Sequence, residues 1–156
     1  MTKLHEYHTN IKWTGKTGKG TVDYNNYERS HTISVANKSV IEGSSDPSFR
    51  GDASKHNPEE LFLSAIATCH MLWYLHLCAE AGIVVTDYQD HAEGIMQENS
   101  DGSGQFIAVQ LNPRVIIADS SKSEVAHKLH ENANKYCFIA NSLNFKVTHH
   151  ATCTHT

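Results

Sequence analysis

The chain has 156 residues, with 13 Lys and Arg against 17 Asp and Glu, 12 His, and a formal charge of −4. That length fits a single domain over residues 1–156, able to bury about two-thirds of the surface an unfolded chain exposes. A mildly acidic chain without a Lys/Arg cluster is a poor binder of nucleic acid or anionic membranes, because neither set of phosphates is neutralised.

The opening MTKLHEYHTN lacks the apolar core of a signal peptide, which predicts a cytoplasmic protein. The first forty-odd residues read as antiparallel strands. Ile11 and Trp13 close one run, Thr14–Gly20 is a glycine-rich reversal, a strand opens at Val22, and His31–Val35 alternates with β-branched residues. The Lys16 and Lys19 loop lacks the GK[ST] ending at a helix start, so it is not read as a phosphate-binding loop of that type. Residues 43–55 (GSSDPSFRGDASK) form a polar loop that carries Phe49-Arg50.

Asn57 is a helix cap, Pro58 fits the first helical position, and Glu59 and Glu60 complement the dipole of the first turn. The run from Leu61 to Ala81 is apolar nearly all round, which predicts a long central helix buried on every side, ended by Gly82. One domain of this size hardly wraps such a helix alone, so a partner chain is expected to help. Glu59, Glu60, His70, His76 and Glu80 punctuate it and argue against a membrane span.

A second β region begins at Ile83, and strands around His91–Gln97 and Gln105–Leu111 flank a hairpin loop. Pro113 predicts a break before Arg114–Ala118. Ser121-Lys-Ser-Glu124 reads as a capping box for a second helix, with Val125, Leu129, Ala133 and Tyr136 as its buried stripe. Phe145–Thr148 makes a final strand, and the tail beyond it reads as an exposed strand. The order of elements predicts an α+β domain.

The cysteines Cys69, Cys78, Cys137 and Cys153 are widely spaced and include no CxxC, so a structural disulfide framework is not expected. Cys69 and Cys78 lie nine residues apart, about half a turn round the helix and about 13 Å along it, too far for a bridge. Spacing alone leaves Cys69 and Cys137 as either core residues or a redox pair, and Cys137 is the better partner if the fold brings it alongside.

Asn57-Pro-Glu59-Glu-Leu-Phe, with Cys69 ten residues after Glu59, resembles the OsmC/Ohr family of hydroperoxide reductases. A helix ending in Cys137, followed by Asn141-Ser-Leu-Asn-Phe-Lys-Val, extends that resemblance over nearly the whole chain. The resemblance implies the OsmC-like fold: antiparallel sheets around a long buried central helix, in an entwined homodimer with sites at the subunit interface. It implies a peroxidase that reduces organic hydroperoxides to alcohols without metal or bound cofactor. Cys69 would attack and Cys137 resolve, and an external dithiol, plausibly of lipoyl type, would reduce the resulting disulfide. Glu59 matches the family's glutamate, and Arg50 approximately matches the arginine of the OsmC branch.

The chemistry suits those residue types. A thiolate is the attacking species, and a guanidinium about 4 Å away offers roughly 4 kcal/mol of attraction at an effective dielectric of 20. Glu59 is expected to hold Arg50 in a bidentate pair. Glu59 and Cys69 lie about 15 Å apart along one helix, so each site is expected to be composite, with one subunit's Arg50 and Glu59 serving the other's Cys69.

Phe138 and Ala140 stand where the family has proline and serine, and His70 replaces a common aromatic after the first cysteine. Phe138 would enlarge an apolar wall formed with Phe62, Ile66 and Trp73. His70 is read as a packed, hydrogen-bonded histidine. His149, Cys153 and His155 would share one strand face but span too great a length for one metal ion. The alternative to the peroxidase is a non-catalytic small-molecule-binding protein or thiol redox sensor on the same fold.

Overall fold

Three short strands open the chain: β1 (Asn10–Trp13), β2 (His31–Ser34) and β3 (Ile41–Gly43) form an antiparallel sheet in the order β1-β2-β3. The computed structural model describes residues 3–155, which divide into two units between Leu61 and Phe62. The strand expected from Val22 is absent; residues 21–27 are bends and turns. Arg29 organises that segment instead, donating through Nη1 to Tyr27 O (2.5 Å) and through Nη2 to Tyr24 O (2.8 Å).

Helix α1 (Pro58–Glu80) starts in the first unit and runs into the second. Its start is a reciprocal cap: Glu60 N–H donates to Asn57 Oδ1 (2.8 Å), and Asn57 N–H donates to Glu60 Oε2 (3.3 Å). Two orphan donors of the first turn are thereby satisfied, with Pro58 at the position that needs no donor. Replacing Asn57 by Ala is expected to cost about 1 kcal/mol, read as a lower urea midpoint at unchanged m-value. At the other end Gly82 adopts φ +65°, and Ile83 N–H donates to Cys78 O (2.8 Å), closing the helix as a glycine stop.

The second unit holds β4 (Val85–Asp90), β5 (Glu93–Glu98), β6 (Gly104–Leu111), β7 (Pro113–Ile117), α2 (Ser123–Tyr136), β8 (Val147–His149) and β9 (Thr152–His155). They form two three-stranded sheets, β4-β7-β9 and β5-β6-β8. The expectation of antiparallel sheets is corrected here: β8 runs parallel to β6, and β9 runs parallel to β7. The chain changes sheet at Asn112, whose N–H donates to Asp90 Oδ1 (2.7 Å) and whose Nδ2 donates to His91 O (2.8 Å). Pro113 therefore opens β7 at a strand start, where its missing N–H breaks no ladder. The tail changes sheet too, so His149 and His155 belong to different strands, not to one strand face.

The core of this unit has two parts. The early turns of α1 pack Ile66 against Val109, Leu111 and Val147, while its later turns pack Tyr74 and Cys78 with Ile83, Val115, Ile117, Ala126 and Ala133. Burial of α1 is confined to one stripe, Ile66, His70, Tyr74 and Cys78, spaced four residues apart. Leu72 on the other flank is 63% exposed, so the expected burial on every side does not occur within one chain.

Helix α2 also departs from expectation. Its first turn is preceded by a 3-10 turn (Ser120–Lys122) capped by Asp119, and Ser121 belongs to that turn rather than to a capping box. Glu124 pairs instead with Lys128 Nζ at 2.6 Å. The buried stripe is Ala126, His130 and Ala133, whereas Val125 and Tyr136 are exposed. Ala133 is buried as expected and Leu129 packs against the core, while Ala126 allows close approach and His130 turns inward beside it.

Candidate functional site

Cys137 ends α2. Its N–H donates to Ala133 O (2.9 Å), and its backbone then turns extended (φ −63°, ψ 109°), which aims the following residues away from the helix axis. The thiol is buried, and Ala140 N–H donates to its Sγ at 3.3 Å. Cys69, half-buried on α1, is close enough to act on it. Two thiols 68 residues apart in sequence are thus brought together, and all four cysteines are free. Burial, followed by the neighbouring Cys69 thiol, pushes the Cys137 thiol up to about 11, against the opposing effect of the Ala140 amide. Cys137 therefore carries its proton at neutral pH and can donate it towards the Cys69 sulfur.

Around the pair the surface is aromatic. Trp73, one turn after Cys69, lies 5.3 Å from the Tyr136 ring and 5.6 Å, edge-on, from the Phe138 ring. Phe138 is 68% exposed. Of the apolar wall expected beside Cys69, Trp73 and Phe138 are present. Ile66 is fully buried among core strands and Phe62 packs on Phe106 and Phe145, so these two build the core instead. A separate cavity of about 430 Å³, lined by Leu63, Ala67, Met71, Tyr88, Asp90 and His91, opens on another flank of α1. Met71 stands about 200° round the helix from Cys69, so this cavity does not face the thiol.

Arg50 and Glu59 belong to the first unit. Arg50 sits in a tight loop: Asp46 Oδ1 accepts from Ser48 N–H (2.7 Å), and Gly51 N–H donates to Asp46 O (3.0 Å). Arg50 itself takes the left-handed conformation (φ +64°) and is exposed. A Cβ on Gly51 would lie 1.5 Å from Ser45 O, so only glycine fits after Arg50. The expected Glu59–Arg50 pair is not formed. Glu60 has taken the capping role, Glu59 Oε2 is buried without a hydrogen-bond partner among the described residues, and the Arg50 guanidinium lies 5.9 Å from the Tyr24 ring.

A histidine cluster escaped the sequence reading. His70 Nε2 and His130 Nδ1 share a hydrogen bond of 3.0 Å in the core, and the Tyr74 ring stacks 3.8 Å from the His130 ring. The His149 ring lies 5.6 Å from that of His70 and 5.9 Å from that of His130. Burial lowers His70 to about 4 and His130 to about 3, with the neighbouring histidines adding to the effect. His130 shares its helix face with Ala126 and Ala133, a signal visible in the spacing. Among the described residues no group of three or more His, Cys, Asp or Glu is placed to hold a metal ion.

Comparison with known proteins places this arrangement. Residues 51–151 match the family model described as OsmC-like protein. An OsmC-like protein of unknown function from Vibrio cholerae superposes with a TM-score of 0.86 at 32% identity, covering 96% of this chain and 100% of that one. An organic hydroperoxide resistance protein from Legionella pneumophila shares the fold at a TM-score of 0.67 and 17% identity, covering 97% and 99% of the two chains. An uncharacterized protein of Bacillus subtilis, YmaD, is 26% identical over 147 residues, 92% of this chain and 89% of its own length. The helix-borne Cys69 meeting Cys137 thus sits within a matched segment that covers most of the sequence, and the chain belongs to the OsmC-like family.

Proposed function

We propose that the protein is a thiol peroxidase that reduces organic hydroperoxides to alcohols, with Cys69 as the attacking thiol and Cys137 as the resolving one. The observation that carries this reading is that two free thiols, Cys69 and Cys137, lie near enough to influence one another, beside an exposed aromatic surface. The Cys69 thiolate attacks the peroxide; an S–O bond forms, the O–O bond breaks, and the alkoxide takes a proton and leaves as the alcohol. The Cys137 sulfur then attacks the sulfenic acid, an S–S bond forms, and water leaves. A dithiol of the reducing cytoplasm returns both sulfurs to thiols and becomes a disulfide itself.

Once Cys69 is a sulfenic acid it no longer accepts the Cys137 proton as a thiolate would, so the influence that holds that proton is weakened at the moment resolution needs it. Arg50 is the cation assigned to the thiolate and the leaving oxygen, and Glu59, whose buried Oε2 has no partner among the described residues, is the carboxylate assigned to the same site. Each site is composite in a homodimer, Arg50 and Glu59 coming from one subunit and the thiols from the other. Leu72 on α1, 63% exposed, and the fully exposed strand β5, with Ile95 at 59% and Met96 at 40%, supply apolar surface for that dimer. A strictly monomeric protein with full activity would contradict the composite site.

The test is the mass and thiol count of the reduced protein after one equivalent of cumene hydroperoxide. The expected result is loss of two thiols and about 2 Da, with the Cys69–Cys137 bridge found in the peptide map. An unchanged mass overturns the reading. The high affinity of Cys137 for its proton favours a second reading, a redox sensor in which the bridge forms once and turnover with dithiol is slow. Stoichiometric oxidation without catalytic turnover would select it.

A further inference from the structure

Two arginines in the first unit, Arg29 and Arg50, line one groove. Lys19, Arg29 and Arg50 line a cleft of about 430 Å³ with Asn25, Asn26 and Glu28. Three cations face one carboxylate there, in a chain whose formal charge is −4. The ion pairs among the described residues involve Lys55, His56, His76 and Lys128; neither Arg29 nor Arg50 has an acidic partner within 4.0 Å. A second cleft of about 280 Å³ also has both Arg29 and Arg50 in its wall, so the two guanidiniums are neighbours on a continuous surface.

The groove is also held in shape. The Arg29 guanidinium is flanked by Tyr27, 4.1 Å from its ring centroid, and Tyr24, at 4.4 Å. With two of its five N–H groups tied to the Tyr24 and Tyr27 carbonyls, it keeps three donors for another partner. Trp13 packs edge-on against Tyr27 (5.9 Å) and donates through Nε1 to Glu28 O (2.8 Å), bracing the groove from β1. Arg50 is presented by a backbone in the left-handed region, φ +64°, a conformation unfavourable for a residue with a side chain. Like charges gathered on a braced surface repel, and an oxyanion relieves that repulsion while accepting from the free guanidinium donors.

We propose that this groove binds a small molecule through a carboxylate or phosphate group, held by Arg29 and Arg50 with Lys19 at the rim. The groove shares Arg50 with the proposed peroxidase site, whereas Arg29 and Lys19 have no part in that chemistry, and oxyanion binding itself needs neither Cys69 nor peroxide.

The experiment is a titration of the ¹⁵N-labelled full chain with inorganic phosphate and, separately, with acetate, at constant ionic strength set with chloride. Saturable amide shifts confined to residues 17–29 and 50–52 are expected. Saturation by both probes marks a general oxyanion site, and saturation by phosphate alone marks a phosphate site; either supports the proposal. Arg29→Lys, which keeps the charge but loses the fork, should weaken binding about tenfold. Lys19→Gln, at an exposed rim position that cannot unfold the chain, should weaken it about threefold. Lys38→Gln should change nothing, and Cys69→Ser should bind as the unaltered protein does. Linear shifts scattered over the surface, or equal weakening by Lys38→Gln and Lys19→Gln, would overturn the proposal.

Discussion

Cys69→Ser is expected to lower peroxide-dependent oxidation of a dithiol by about a thousandfold or more, to the level of the uncatalysed reaction. A serine hydroxyl is not ionised at neutral pH and is a far weaker nucleophile towards an O–O bond than a thiolate. The substitution is small, and Cys69 is half-buried outside both core clusters, so the fold is expected to persist; an unchanged urea midpoint is the control. Cys137→Ser is the informative companion. It leaves the attacking sulfur in place, so one equivalent of alcohol should form rapidly and Cys69 should accumulate as a sulfenic acid, trapped by dimedone. Equal turnover in Cys69→Ser and the unaltered protein would remove Cys69 from the chemistry. A burst in Cys137→Ser followed by undiminished steady turnover would mean that the external dithiol attacks the sulfenic acid directly.

The local signals were the legible part. Asn57, Pro58 and Gly82 fix the ends of α1 through hydrogen bonds made within a few residues, so residue type and spacing suffice to place them. The Cys69–Cys137 meeting was carried by the family resemblance; spacing alone left both cysteines as either core residues or a redox pair. What could not be read depends on competition between distant groups. The Asn57–Glu60 cap has the N-cap/N3 spacing of a capping box and is local, whereas the fate of Glu59, left buried and unpaired among the described residues, depends on where the distant Arg50 loop lies. Parallel pairing of β8 with β6 and of β9 with β7 arises from long-range return of the tail, which no local turn encodes. On α2 the expected Ala133 is buried and Leu129 packs against the core, but Val125 and Tyr136 are exposed, and Ala126 and polar His130 take the inner face instead.

That inward histidine has a cost that pH should expose. His70 and His130 satisfy one nitrogen each in their shared bond, while His70 Nδ1 and His130 Nε2 are buried without a partner. His149 acts on both rings and His127 on His130, with Tyr74 stacked from α1, while Glu131, His127, His150 and Lys146 act in turn on His149. Burial and the neighbouring imidazoles hold both rings neutral, His70 down to about 4 and His130 to about 3, from an ordinary value of 6.5. A lowered histidine gives full stability above the unfolded value and loses it as pH falls towards the folded one, because the unfolded chain takes up the protons first. Between pH 6.5 and about 4, His70 alone should therefore remove about 3 kcal/mol, at roughly 1.4 kcal/mol per pH unit. His130 steepens the same slope. Urea midpoints at pH 7.5, 6, 5 and 4.5 would measure it. The double variant His70→Leu/His130→Phe keeps the apolar stack on Tyr74 and removes both unpaired nitrogens. It should match or exceed the unaltered protein at pH 7.5 and lose much less stability towards pH 4.5. Equal slopes in the two proteins would show that the buried pair is not what makes the fold sensitive to acid.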